Sequence, residues 1–553
     1  MALRDYEPVI GLEVHVQLST ATKIFCGCST KFGDPANTNV CPVCLGLPVA
    51  LPVMNRKALE LATRAALALN IQVQERSRFA RKNYFYPDLT KGYQISQYEL
   101  PLALGGWLEI EVEGAKKRIG ITRLHLEEDA GKSMHEGFPE SATKSYIDFN
   151  RCGTPLVEIV SEPDMRTPAE AYAYLTALKQ VLLYAEVSDC NMEEGSLRCD
   201  ANVSVRKRGV EKFGEKVEVK NLNSFRYLQR ALEYEIRRQV EAVESGARIL
   251  QETRLWNVGA ARTEPMRSKE FAHDYRYFPE PDLLPVQSTE QMIAQVRGAM
   301  PELPAAKRAR FISQYGLTPY DAGVLTDSRA LADYFEATMA AGASAKSAAK
   351  WTSNELMRRL DEANVDVAAT PISPESLSQF IAKVESGVIP AAKAKEIFAE
   401  LFAGSKSLEE VIALMELTAR ISREELLKML VEIAKRHQND LAHESAGSRR
   451  LEGFLFGQIM SETKRLADPQ VLRALFLNIA SNEANLQVTT EAPRNPPLIP
   501  STGNNSTQSF VGYAPITLSG QKTETLKDAV SERVEGGTQT SRDAKIEEPE
   551  NGM

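Results

Sequence analysis

Leu12-Glu13-Val14-His15-Val16-Gln17-Leu18 alternates apolar and polar residues without a break. Successive side chains of a strand point to opposite faces, so Leu12, Val14, Val16 and Leu18 share one side while Glu13, His15 and Gln17 share the other. The pattern recurs at 122–129, where Leu124 and Leu126 oppose Arg123, His125, Glu127 and Asp129. It recurs again at 200–206, with Ala201, Val203 and Val205 against Asp200, Asn202 and Ser204, and briefly at Val217-Glu218-Val219-Lys220. In Pro155-Leu156-Val157-Glu158-Ile159-Val160, Glu158 alone interrupts an apolar run. Helical stretches at 56–70, 168–186 and 225–244 interleave with these strands without a regular βα repeat. The reading is an α+β domain over residues 1–290 with a mostly antiparallel sheet.

Taken singly, each polar face reads as the wet side of such a sheet. Taken together they carry acids, histidine and asparagine where solvent faces usually carry lysine and threonine. Glu158 has almost no polar company on its own strand, and an acid so placed needs a cation or a cavity to stay ionised. Carboxylates and imidazoles converging on one concave sheet would suit Mg²⁺, which takes oxygen ligands and keeps waters for substrate phosphates. The chain has no GxxxxGK[ST] loop and no GxGxxG opening a helix, so phosphate would be held by another route.

Outward from the sheet, the 553-residue chain is long enough for about two to four domains. It is 43% hydrophobic and 25% charged, ordinary for a globular protein, and no apolar run reaches the roughly eighteen residues of a membrane span. The start, MALRDYEPVIGLEV, carries acids where a secretion signal would be basic and then apolar. Seven cysteines argue against a disulfide framework and for a reducing, cytoplasmic setting. A net charge of −8 excludes nucleic-acid binding by bulk charge alone, though a local patch or a partner could still hold RNA. From about 291 helix follows helix. Ser373-Pro374 supplies an N-cap and a first-turn proline, Gly387 closes that helix, and Ser422 with Glu425 spaces a capping box. The break at 403–407 suggests a seam between helical modules at 291–405 and 406–483. Residues 484–553, rich in Pro, Ser, Thr, Gly, Asn and Gln, read as a disordered tail.

Cys26-Gly27-Cys28 is followed after twelve residues by Cys41-Pro42-Val43-Cys44. Two close pairs across a short loop fit a tetrahedral Zn²⁺ site, structural rather than catalytic because four thiolates leave no open position. Cys152, Cys190 and Cys199 read as free and packed. Arg81-Lys82-Asn83-Tyr84-Phe85-Tyr86-Pro87-Asp88, with Lys91-Gly92-Tyr93-Gln94, mixes aromatics and cations that either stack on a nucleotide or RNA end or pack into the core. His273-Asp274-Tyr275-Arg276-Tyr277-Phe278-Pro279-Glu280 has the same character; Arg276 either meets a phosphate or pairs with Asp274 or Glu280. No serine-centred elbow or Ser/Ser/Lys set is present, so a glutamine-hydrolysing nucleophile is not visible.

The motif Ile147-Asp148-Phe149-Asn150-Arg151-Cys152-Gly153-Thr154-Pro155-Leu156-Val157-Glu158-Ile159 closely resembles the signature of the B subunit of the glutamyl/aspartyl-tRNA amidotransferase. So do 9–15 (VIGLEVH), 81–87, 121–132 (ITRLHLEEDAGK), 193–202 (EEGSLRCDAN), 220–225 (KNLNSF) and 274–282 (DYRYFPEPD). The match covers about 5–285 and, more loosely, the helical part through 453–460 (GFLFGQIM). After Met460 this chain runs Ser461-Glu462-Thr463-Lys464-Arg465-Leu466-Ala467-Asp468-Pro469, lacking a lysine and a glycine usual in the family's tRNA-contacting tail module.

The resemblance implies a cradle domain of the glutamine synthetase and guanidino kinase fold, then a helical domain and a helical tail domain that touches tRNA. It implies a carbon–nitrogen ligase with glutamine as amide donor, acting in translation. ATP would phosphorylate the side-chain carboxylate of misacylated Glu-tRNA(Gln) or Asp-tRNA(Asn). Ammonia from glutamine, hydrolysed on a separate A subunit, would then form the amide, and a C subunit would complete a heterotrimer. Glu13, His15, Glu127 and Glu158 match the family's Mg²⁺ ligands, and Glu127, Glu128, Glu158 and Lys91 would be catalytic. Lys82, Tyr84, Lys91 and Glu128 match the mouth of the ammonia channel. Cys26, Cys28, Cys41 and Cys44 match a zinc site found in some members. Arg151, Arg276, Asp200 and Asn202 are assigned to phosphate or substrate. Two other readings stay open: a stand-alone amino-acid kinase or ligase, and a zinc-bearing RNA-binding scaffold.

Overall fold

The alternation around Leu12 becomes strand β1 (Tyr6–Gln17), with Leu12, Val14 and Val16 buried and Glu13, His15 and Gln17 only partly so. In the computed structural model the described residues are 4–475, excepting 136, 142, 269–271, 405, 415–422, 437–448, 464–466, 468–470 and 474. The expected tail over 484–553, Ser422 and most of the 464–469 departure lie outside them. Among the described residues fifteen further strands follow. They are β2 (Gln72–Val73), β3 (Arg76–Ser77), β4 (Phe79–Asn83), β5 (Tyr93–Gln97), β6 (Ala103–Val112), β7 (Ala115–Glu128) and β8 (Lys132–Met134). Next come β9 (Tyr146–Asp148), β10 (Pro155–Ser161), β11 (Leu197–Lys207) and β12 (Val217–Lys220). The last are β13 (Glu252–Asn257), β14 (Arg262–Ser268), β15 (Phe278–Pro279) and β16 (Val286–Gln287).

Nine strands form one sheet in the order β14-β13-β12-β11-β1-β10-β7-β6-β2. Every pair is antiparallel except β12–β13, which is parallel. A small sheet, β15-β4-β5, lies near the end of β7. The apolar face of the large sheet is covered by α1 (Arg56–Ala68), α2 (Pro168–Tyr184) and α3 (Phe225–Glu244). Leu61, Leu175, Leu178, Leu228 and Leu232 pack there against Val14, Ile159, Leu124 and Val203 in a single apolar cluster. Each such leucine contributes roughly 1.5–3 kcal/mol by leaving water.

The helix starts follow their sequence signals. Thr167 accepts a hydrogen bond from the Glu170 amide with Pro168 in the first turn, and Ser224 accepts one from the Tyr227 amide. The ends fall two residues inside the expected 56–70 and 168–186. Asn70 (φ 57) and Glu186 (φ 55) sit in the left-handed region and turn the chain out, their neighbours' amides reaching back to Ala66 and Leu182.

Beyond the cradle come α4 (Glu290–Gly298), α5 (Pro304–Tyr315), α6 (Pro319–Leu325), α7 (Arg329–Ala340) and α8 (Ala345–Lys350). A π turn at Trp351–Leu356 leads into α9 (Met357–Ala363), then α10 (Pro374–Glu385), α11 (Ala394–Phe402) and α12 (Leu408–Leu414). Ser373 caps α10 and Gly387 (φ 74) follows its end. Phe311, Phe335, Phe380 and Phe398 centre a second apolar cluster, which also takes in Leu408, Val411 and Ile412. A third, built on Leu426, Leu430, Ile433, Leu455 and Ile459, joins α13 (Arg423–Arg436) to the helix Arg449–Glu462. The cradle meets the second cluster's helices through α2: Tyr184 Oη donates to the Thr326 and Ser328 carbonyls at 2.9 and 3.2 Å, and Gln180 to Thr326 and Asp327. Among the described residues no helix is long and apolar enough to cross a membrane.

Candidate active site

Three central strands set the site. His15 on β1 stands opposite Glu158 on β10, and Glu158 stands opposite His125 on β7. Glu127 lies two residues along β7 and so on the same face as His125. His15 Nε2 is 3.4 Å from Glu158 Oε2 and 3.9 Å from Glu127 Oε1. His125 Nε2 is 3.6 Å from one oxygen of each carboxylate, and Ser96 Oγ donates to Glu127 at 3.1 Å. The ligand atoms of His15, Glu127 and Glu158 all fall within 4.8 Å of one another.

Burial works against charge on both acids. It is outweighed for Glu158, mainly by the two imidazoles, whose positive field holds that carboxyl well below the usual range. Glu127 is lowered by His125 and Lys82 against both burial and the neighbouring Glu158 charge. Burial also disfavours the His15 cation, yet Glu158 and Glu127 raise its pKa above the ordinary value. Two nearly buried carboxylates facing one another require positive charge between them. An oxygen-rich donor set with one imidazole fits a hard divalent ion such as Mg²⁺.

The cluster opens into a cavity of about 360 Å³ whose walls include Lys82, Tyr84, Asp200 and Lys220. Lys82 Nζ lies 5.0 Å from the Tyr275 ring centre and 5.8 Å from that of Tyr84, and Tyr84 Oη donates to Gln94 at 3.0 Å. Of the aromatic run, Tyr84 is half-buried and lines this cavity, while Phe85 is 80% exposed.

Glu13, expected beside His15, Glu127 and Glu158, stands apart from that group. It faces Asp200 across the β1–β11 pair and accepts from Asn202 Nδ2 at 2.8 Å. Lys220 Nζ reaches Asp200 at 2.5 Å and Glu218 at 3.6 Å, and these acids raise its pKa despite burial. Glu13, Asp200 and Asn202 thus form a second polar group one repeat along the same face.

Lys91 and Glu128 pair at 2.7 Å, both nearly buried, with Glu128 Oε1 also accepting from the Ile95 amide at 2.9 Å. Glu128 alternates with Glu127, so this pair lies behind the strand from the acidic cluster. Arg151 is already engaged: its guanidinium donates to the Ala130 and Gly131 carbonyls at 3.0 and 2.6 Å and lies 3.7 Å from Asp129. Arg276 is exposed, and Glu280, one of its two expected partners, is instead held by Arg81 at 2.8 and 2.9 Å.

Sequence reading passed over two groups here. His125 was visible on the polar face of its strand, but nothing in its pattern set it apart from Arg123. Arg198, opposite His15 on β11, pairs with the buried Asp129 at 2.9 Å, where Gln17 also donates at 2.8 Å. Arg198 lines both the 360 Å³ cavity and a larger one of about 570 Å³ whose walls include Lys31, Asp148 and Glu193. Arg198 shares its face with Asp200, a signal visible only once the strand is extended backwards to Leu197.

The four cysteines converge. Their Sγ atoms all lie within 4.8 Å of one another, with Cys26 and Cys41 at 3.5 and 3.8 Å from Cys44. Four sulfurs at that spacing fit a tetrahedral thiolate-bound metal such as zinc. Cys152, Cys190 and Cys199 are free and buried.

Residues 8–294 match the family model of the GatB/GatE catalytic domain, and residues 333–479 match that of the GatB domain. The B subunit of the aspartyl/glutamyl-tRNA(Asn/Gln) amidotransferase from Carboxydothermus hydrogenoformans is 52% identical over 474 residues, spanning 86% of this chain and 98% of that protein. The B subunits from Brevibacillus brevis and Geobacter sulfurreducens are 48% and 49% identical, over 87% and 86% of this chain and 100% and 99% of their own lengths.

Proposed function

This chain belongs to the GatB/GatE family, and we propose that it is the kinase and transamidase half of a glutamine-dependent aminoacyl-tRNA amidotransferase. The supporting observation is the pair of nearly buried carboxylates, Glu127 and Glu158, held against His15 and His125, with His15 and Glu127 lining a cavity. A passive RNA-binding face would not gather acids that repel phosphate.

In this reading the side-chain carboxylate of misacylated Glu-tRNA(Gln) or Asp-tRNA(Asn) attacks the γ-phosphorus of ATP and releases ADP. Ammonia then attacks the acyl carbon of the acyl phosphate, phosphate leaves, and a proton is lost as the amide forms. His15, Glu127 and Glu158, without Glu13, would hold a magnesium ion, which would offset phosphate charge during transfer. Glu13 has its outer partner in Asn202, and the Asp200–Lys220 pair provides the adjoining wall for substrate contacts. Lys82 and Tyr84 border the cavity where ammonia would arrive, and Lys91 with Glu128 would form the polar mouth behind it. Arg151 acts by fixing the 129–131 turn, and exposed Arg276 is available to a phosphate. Water would have to be kept from the acyl phosphate, which would otherwise hydrolyse.

Ammonia would come from an A subunit that hydrolyses glutamine, and a C subunit would complete the cytoplasmic heterotrimer. The cradle, 1–290, is read as a glutamine synthetase and guanidino kinase type of fold, followed by a helical domain (291–405) and a tRNA-contacting tail domain (406–483). Three apolar clusters follow in that order along the chain, with α12 packed into the second and Met300 and Leu303 against the first. The cysteines would hold a structural zinc.

The test is ATP consumption and amide formation by the purified complex, supplied with each misacylated tRNA in turn. ATP turnover that requires the charged tRNA supports the proposal. Turnover with free glutamate would point to a stand-alone ligase, and tRNA binding without turnover to a scaffold.

A further inference from the structure

Lys23 is 0% exposed, which is unusual for an ammonium. Its Nζ lies 2.6 Å from the Asn39 carbonyl oxygen, 3.4 Å from that of Phe149 and 3.4 Å from Cys44 Sγ. No carboxylate forms an ion pair with it among the described residues, so the groups able to balance its charge are the sulfurs. Four thiolates around a dication leave a net charge of −2, and a buried donor to one sulfur both offsets that charge and fixes the ligand's orientation. The requirement is mutual: ammonium and thiolates each remove the cost of burying the other.

The other end of Cys44 leads to a different site. Its carbonyl oxygen accepts from Thr90 Oγ1 at 2.6 Å and lies 3.6 Å from Cys152 Sγ. Two residues on, Gly46 (φ +64) packs so closely on Lys91 that a Cβ there would clash with Lys91 Cγ. Lys91 in turn holds Glu128 at 2.7 Å. An unbroken line of contacts therefore runs from the sulfur cluster through the Cys44 backbone to the buried ion pair.

We infer that Lys23 is the charge partner of the four-cysteine metal site, and that this site braces the 89–93 turn so that Lys91 meets Glu128. Lys23 and Thr90 are positioning residues in this arrangement. The inference goes beyond the proposed reaction, and its test needs neither tRNA nor ATP.

The full-length chain is loaded with Zn²⁺ and titrated against a chromophoric chelator. Lys23→Met is expected to bind the metal at least tenfold more weakly. With Co²⁺ substituted, it should keep four-thiolate absorption but with shifted charge-transfer bands, because one sulfur has lost its donor. Unchanged affinity and bands, or no stoichiometric metal in the parent chain, overturn the assignment. Hydrogen exchange reads the brace without depending on that variant's folding. Stripping zinc from the parent should raise exchange at 89–93 as well as at 26–46, and Thr90→Val should raise exchange at 89–93 with the metal still bound. Changes confined to 26–46 in the parent overturn the brace.

Discussion

Glu158 shows what a single side chain can carry. It is the lone acid on a strand whose other side chains are apolar up to Ser161 at its end, and two imidazoles approach it from the strands on either side. Replacing it with Gln keeps the size and removes the charge. Glu158→Gln should lower amide formation by about a hundredfold or more while the partner subunit still hydrolyses glutamine; normal amidation by the variant would take Glu158 out of the chemistry. His125 faces both carboxylates at 3.6 Å but has no partner for Nδ1 among the described atoms. His125→Asn is expected to weaken divalent-ion binding about tenfold, read with Mn²⁺ by electron paramagnetic resonance. Glu158 could be found from sequence because its strand gave it no polar neighbours. His125 could not, because alternation identifies a face and says nothing of which residue on it sits opposite which. Glu13 shows the same limit: it shares a face with His15, yet the pleat carries it along to Asn202.

At the scale of elements, periodicity did most of the work. The strands at 12–18, 122–129, 155–160 and 200–206 form where alternation puts them, and the three cradle helices start where expected, α1 and α2 ending two residues early. Lateral order is a different matter, since nothing local tells β1 to lie between β10 and β11. Between helices α5 and α7, polar contacts supplement the apolar cluster. Glu336 accepts from Arg310, Lys307 and Tyr315, and although partial burial opposes ionisation these donors hold its carboxyl down at about 2, from 4.5. Because the folded value lies below the unfolded one, its contribution is complete above about 4.5 and is lost as pH falls toward 2. Glu336→Gln should therefore cost about 1 kcal/mol in urea unfolding at pH 7 and almost nothing near pH 2. An equal loss at both would show that shape rather than charge matters there.

For the whole molecule, the cradle and the helices after it are joined where α2 ends. Tyr184 is fully buried, and its hydroxyl reaches two carbonyls of the 326–328 turn, beside Gln180 and the Arg329–Glu186 ion pair at 2.5 Å. Tyr184→Phe keeps the ring and removes the donor. It should cost about 1 kcal/mol of stability and leave divalent-ion affinity unchanged; a change in that affinity would mean the junction reaches the acidic cluster. Sequence composition marked this transition from strands to helices near 290, but not the contact itself, because a tyrosine in an apolar helix looks like any other core aromatic.

The direct opposition of His15, Glu158 and His125 across three neighbouring strands has an evolutionary corollary. Removing or adding one residue within β10 would turn Glu158 into the hydrocarbon layer and bring Val157 or Ile159 out to face the histidines. Such a lesion would spoil folding and chemistry together, so length variation in this lineage should collect in the connecting turns and spare those three strands.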